Sequence, residues 1–135
     1  MSIDEARELL IQAHQKKARE ALVEAERNLA AGSAGLATNR IYYACFYAAT
    51  AVLISRELQF VRHAALKSAV HSQFVRQGEL SPELAAFYEA AFIQRHEADY
   101  NALASFDPAK VAPQLVKARQ FVAAMETLLS RRKQE

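Results

Sequence analysis

The densest polar segment inside any apolar pattern of this chain is Gln94-Arg-His-Glu-Ala-Asp-Tyr100. On a helix, Arg95 and Asp99 follow Tyr88 and Phe92 at steps of three and four, so they lie along or beside one apolar stripe. The arginine precedes the acid, which is the weaker order for a helix-stabilising pair. A half-buried ion pair also contributes little to stability once its desolvation is counted. So small a return in stability points instead to a functional role for the pair.

Acid–base chemistry beside that cation would need a group that takes up a proton at neutral pH. A phenol such as that of Tyr100, of a type that ionises near pH 10, is a poor base at neutral pH. A carboxylate suits the task better, but Asp99 is expected to be tied to Arg95. The structural alternative is that Arg95 and Asp99 lock this helix to a neighbour by reaching Tyr43 or Tyr47. Both uses stay open from the residues alone. No His-x3-His, acidic cluster or set of cysteines offers a metal site, and no cofactor is called for.

These residues must be positioned by helices. The chain has 135 residues, 52% hydrophobic and 24% charged, with three Gly and three Pro, too little punctuation for many short strands. A single domain spanning 1–135 is expected. The formal net charge of +2 implies neither nucleic acid nor an acidic membrane by bulk electrostatics. The N-terminus carries Asp4 and Glu5 where a signal peptide would be basic, and the apolar run 41–54 is shorter than the roughly 20 residues that span a bilayer. A cytoplasmic protein without a membrane span is expected. Cys45, the one cysteine, lies inside that run and reads as a small buried hydrophobe.

The segment from Arg40 to Ile54 has no charge after its first residue, so its helix has no clearly wet face and should be central. Ala44, Ala48 and Ala51 form a stripe on which another helix can approach closely, while Arg40, Tyr43 and Tyr47 carry polar atoms along the same period. This helix should run from about 36–39 to Leu58. Before it, Ser2 and Glu5 cap a first helix that keeps Ile11, Ala18, Leu22, Ala25 and Leu29 on one face and stops at Gly32.

Residues 59–64 read as a loop, followed by a short helix over about 65–76. Ser81-Pro82 opens a fourth helix, expected to reach about Ser105, and Asp107-Pro108 a fifth. Pro113 should kink that last helix or mark a later start. Val111, Leu115, Ala118, Val122, Met125 and Leu129 form its bundle seam. The fold class is all-α: an up-down antiparallel bundle of four long helices and one short one.

In order along the chain, Arg40-Ile-Tyr-Tyr-Ala-Cys-Phe-Tyr-Ala48, His63, Phe74-Val-Arg-Gln-Gly78, Arg95-His-Glu-Ala-Asp-Tyr100 and Ala118-Arg-Gln-Phe-Val122 form a familiar series. It resembles the small stand-alone bacterial HEPN-domain proteins (higher eukaryotes and prokaryotes nucleotide-binding) with an Arg-x-x-x-Asp-Tyr motif. The resemblance spans nearly the whole chain. It implies a homodimeric helical bundle, often encoded beside a minimal nucleotidyltransferase in a toxin–antitoxin or related two-gene system.

Several HEPN branches are metal-independent ribonucleases whose arginine is followed, after four to six residues, by a histidine near the dimer interface. Here that place falls on Tyr100 or just after and holds no histidine; His96 adjoins Arg95 and points about 100° away. Arg7…His14 and Arg56…His63 repeat a six-residue spacing off that helix and are discounted. A related branch carries a His-x-Tyr arrangement whose tyrosine accepts a nucleotidyl group. This chain lacks that arrangement, which leaves Tyr100 a loosely held candidate acceptor.

The resemblance thus implies a HEPN component that binds nucleotide or RNA in a dimer cleft. A metal-independent ribonuclease toxin and a non-catalytic helical scaffold are the alternatives. The candidate catalytic residues are Arg95, Asp99 and Tyr100; the candidate nucleotide- or RNA-binding residues are Arg40, Tyr43, His63, His71 and His96. Arg40 and Tyr43 are expected to share one polar pocket with Arg95, Asp99 and Tyr100.

Overall fold

Four separate local signals start and stop the long helices of this chain, and each is visible in the computed structural model, which describes residues 1–58 and 62–132. Helix α1 (Ile3–Ala30) starts where the Ser2 hydroxyl accepts from the Glu5 N–H at 3.1 Å. It stops at Gly32, whose φ of 83° lets the Ser33 N–H donate back to the Asn28 carbonyl at 2.8 Å. Helix α2 (Ala34–Ser55) follows directly and so turns back along α1. A short helix α3 (His63–Ala69) runs into one π-helical turn (Val70–Val75). Helix α4 (Pro82–Tyr100) is capped by Ser81, and helix α5 (Pro108–Arg132) by Asp107, whose carboxylate accepts from the Ala109 N–H at 3.0 Å. These are four long helices and one short one, with no strand among the described residues.

Helix α2 is the central element, packed against α1, α4 and α5. Twelve of its residues are buried, among them Ala37, Ala44, Ala48 and Ala51. Its most extensive contact is with α1, whose buried positions are Ile11, Ala18, Ala21 and Ala25. Alanines on both surfaces let two helices approach closely, since interaxial distance follows the side chains at the contact. A larger residue at Ala44, which is 0% exposed, would overpack this seam at about 1–3 kcal/mol. All six residues of the expected α5 seam are buried, and α5 adds Phe121 and Leu128 to the same core.

Several boundaries differ from the sequence expectation. Helix α2 ends at Ser55, not Leu58, because Glu57 adopts a left-handed φ of 61° and the Leu58 N–H donates back to the Leu53 carbonyl at 2.9 Å. That conformation is unusual for a residue with a Cβ; the Glu57 carboxylate meets Arg7 of α1 at 3.0 Å. His63, expected in a loop, is the first residue of α3, and residues 59–61 of that loop lie outside the described residues. Helix α4 ends at Tyr100 instead of Ser105. There the Asn101 side chain donates to the Glu97 carboxylate at 2.9 Å and accepts from the Leu103 N–H at 3.0 Å, drawing the backbone out of the helix. Pro113 does not delay α5, which begins at Pro108 and continues through it. Lys133, expected at the basic end of α5, lies outside the described residues. No helix among the described residues is long and apolar enough to cross a membrane.

Candidate functional site

Arg95 leaves the inner face of α4 and is 8% exposed. Its guanidinium carbon lies 5.3 Å from the ring centre of Tyr42 and 5.9 Å from those of Tyr43 and Phe92. Aromatic quadrupoles at these distances favour a cation. Its ionic contact is long: Nη1 stands 3.5 Å from Asp99 Oδ2, at the weak end of hydrogen-bond geometry. Arg95 Nε is buried with no hydrogen-bond partner among the described residues. Such an unmet donor costs about 1–3 kcal/mol. The cation is therefore desolvated, cushioned by rings and only loosely neutralised.

Asp99 is held from elsewhere. Asn39 Nδ2, from the first turns of α2, donates to both carboxylate oxygens, at 3.0 and 3.1 Å. Arg40 Nε donates to Asn39 Oδ1 at 3.0 Å, its guanidinium lies 5.2 Å from the Tyr43 ring, and Nη1 stands 3.7 Å from Glu24 of α1. A polar chain thus runs from Glu24 through Arg40, Asn39 and Asp99 to Arg95, tying α1, α2 and α4. The side chains of Arg40 and Asp99, 26% and 27% exposed, form its outer rim.

His63 also lies against Tyr42, 5.6 Å between ring centres. Its Nδ1 is 2.6 Å from the Tyr42 hydroxyl, its ring stacks on Phe46 at 4.5 Å and 14°, and it meets Tyr43 edge-on at 5.8 Å. Burial, and then the nearby Arg95 charge, hold the His63 pKa below its ordinary value. Burial pushes Tyr42 up to about 12. Both are neutral at pH 7. Tyr88 backs this cluster, 5.7 Å from Tyr42 between ring centres, and burial pushes its phenol well above the ordinary value.

Arg40, Tyr43, His63, Arg95 and Asp99 therefore come together in one cluster contributed by α2, α3 and α4. The other candidates lie apart. Tyr100 is 70% exposed at the end of α4, with His96 beside it at 4.8 Å between ring centres. His71 is exposed on the π-helical turn, in a shallow groove of about 210 Å³ with Lys67, Pro82 and Glu89. Tyr100 thus leaves the expected pocket, because its neighbour Asp99 occupies the inner face and successive helical side chains diverge by about 100°. Tyr47 does not reach Arg95 either; it faces His14 and Lys17 of α1, at 6.2 and 5.5 Å.

Sequence reasoning missed Asn39, Tyr42 and Lys67, whose ammonium lies 5.2 Å from the Phe92 ring. A signal for the first two was present: Asn39, Tyr42 and Phe46 recur at three and four residues and share a face of α2. Among the described residues no group of three or more His, Cys, Asp or Glu could hold a metal ion.

Set beside known proteins, the family model described as HEPN domain matches residues 11–131. A UPF0332 protein of Thermotoga maritima is 35% identical over 123 residues, which are 91% of this chain and 93% of that one. A candidate toxin of Methanocaldococcus jannaschii is 33% identical over 66 residues, 49% of this chain and 45% of that protein. With the match running from α1 into the last turn of α5, and with the helical fold in place, the chain belongs to the HEPN domain family.

Proposed function

We propose that this chain is the HEPN component of a two-gene, toxin–antitoxin-like system, binding RNA or nucleotide at the Arg95 cluster. It acts as a homodimer and pairs with a minimal nucleotidyltransferase. The observation that carries the binding role is the state of Arg95: 8% exposed and, among the described residues, with Nε unpartnered and an ion pair stretched to 3.5 Å. A phosphate offers the bidentate, charge-assisted partner that Asp99 supplies only loosely. Arg40 stands at the rim to meet the approaching backbone, and the Tyr43 ring offers a face for a base. Family membership and the similarity to a candidate toxin support the toxin-like system.

Fluorescence anisotropy with a labelled single-stranded RNA, and with a nucleoside triphosphate as competitor, tests the binding role. Wild type binds and Arg95→Ala loses the signal; equal binding by both removes the cluster from the site. Light scattering reports the dimer. Co-expression with a minimal nucleotidyltransferase, sought in the adjacent gene, should yield a complex that survives size exclusion. Wild type that binds no RNA or nucleotide leaves a helical scaffold.

A further inference from the structure

We infer that Asn39 is a positioning residue for the Arg95 site: it draws Asp99 off the guanidinium and so keeps Arg95 under-paired for a phosphate. This rests on the binding of RNA or nucleotide at the Arg95 cluster, proposed above. Arg95 and Asp99 stand four residues apart on α4, near enough along a helix to pair in full. Between a guanidinium and a carboxylate such a pair normally closes to about 2.7–2.9 Å and often takes both oxygens. Here the order of strengths is reversed. The neutral Asn39 amide holds the two Asp99 oxygens at 3.0 and 3.1 Å, while the cation reaches one of them at 3.5 Å.

Each partner of the pair is held from its own side. The Arg95 guanidinium lies 5.3 Å from the ring centre of Tyr42 and 5.9 Å from those of Tyr43 and Phe92, an attraction that seats the charge without an acceptor oxygen. Asp99 is anchored across the crossing of α2 with α4, and the Asn39 amide can face it only one way round. Arg40 Nε donates to Asn39 Oδ1 at 3.0 Å. Turning the amide over would set its oxygen against the carboxylate and its NH₂ against the guanidinium, and neither arrangement can hydrogen-bond. Arg40 is itself steadied by the Tyr43 ring at 5.2 Å and by Glu24 of α1 at 3.7 Å.

For an incoming phosphate the difference is one of competition. A closed Arg95–Asp99 pair must open before the phosphate can take its place, whereas an under-paired guanidinium gains charge-assisted bonds without losing any of equal strength. Anion affinity is thereby set from α2, by a residue that acts through Asp99 and need not touch the ligand.

The test uses the full chain and a labelled single-stranded RNA, read by fluorescence anisotropy, in wild type, Asn39→Ala, Asp99→Ala and the double variant. Alanine suits a helix, so α2 keeps its form. Asn39→Ala should weaken RNA binding about tenfold as Asp99 closes on Arg95. Removing Asp99 as well should restore binding to within about twofold of Asp99→Ala alone. A double variant as weak as Asn39→Ala overturns the inference, because Asn39 would then act without Asp99.

A second arm needs no ligand. The coupling between Arg95→Ala and Asp99→Ala in urea melts should grow in the Asn39→Ala background, by about tenfold in the unfolding equilibrium constant. An Asn39 that only supports α2 would leave that coupling unchanged, and this result overturns its role even where RNA binds. Absence of RNA binding by wild type overturns the binding proposal, and with it the use made of Asn39.

Discussion

Two seams of this molecule use arginine in opposite ways. Across α1 and α5, Arg19–Glu126 and Arg119–Glu26 close at 3.1 and 3.0 Å, between side chains that solvent still reaches. Between α2 and α4, Arg95 has only 10% of its side chain exposed, yet its pair with Asp99 is 3.5 Å long. Fastening would call for the reverse, because a buried cation needs the shortest and most complete pairing to offset its desolvation. Short wet pairs align helices at little cost. A dry, under-paired cation keeps its capacity for a partner from outside.

The contrast can be broken or sharpened by measurement. The largest effect should be on RNA: Arg95→Ala is expected to weaken single-stranded RNA binding about 10–100-fold, the worth of one charge-assisted contact of 1.5–3 kcal/mol. Arg119→Ala on the wet seam should leave it within about twofold, and equal losses from both would erase the distinction. Next comes stability. A double-mutant cycle of Arg95→Ala and Asp99→Ala in urea melts should give a coupling below about 1 kcal/mol, since Asn39 and solvent keep Asp99 satisfied. A coupling of about 3–5 kcal/mol would make the pair a structural lock after all.

Smaller still, Arg19→Ala and Arg119→Ala should each cost about 0.2–1 kcal/mol, with the cost shrinking as salt is added. Salt-insensitive losses would place those pairs in a drier setting than their exposure shows. The smallest effect concerns pH. The folded His63 pKa lies below the ordinary 6.5, so the unfolded chain takes the proton first. Stability tied to His63 is complete above about 6.5 and is lost as pH falls toward the folded value. The shift in urea midpoint between neutral pH and about 5 should be smaller in His63→Gln than in wild type.

Much of the fold was legible because it rests on local chemistry. Ser2, Gly32, Ser81-Pro82 and Asp107-Pro108 end or begin helices through hydrogen bonds made within a few residues, and each did so where expected. The misplaced ends have equally local but less common causes: Glu57 in a left-handed conformation, and Asn101 diverting its own backbone. The site was legible only in part. Arg40, Tyr43, Arg95 and Asp99 stood out as polar groups on apolar stripes, whereas Tyr42 looked like one more core aromatic and Asn39 like a helix start. Tyr100 and His96 were grouped with Arg95 by nearness along the chain, which on a helix does not mean a shared face.

The sequence by itself determined five helices, the apolar character of α2, and a cation on the inner stripe of α4. Those follow from periodicity and capping, which act over one or two turns. Only the tertiary structure decided which groups share the Arg95 cluster. The crossing of α2 with α4 brings Asn39 to Asp99, 60 residues apart, and the docking of α3 brings His63 to Tyr42, 21 residues apart. Helical period states which face a residue occupies, but the height at which two faces meet is set by how side chains interlock across all the helices at once.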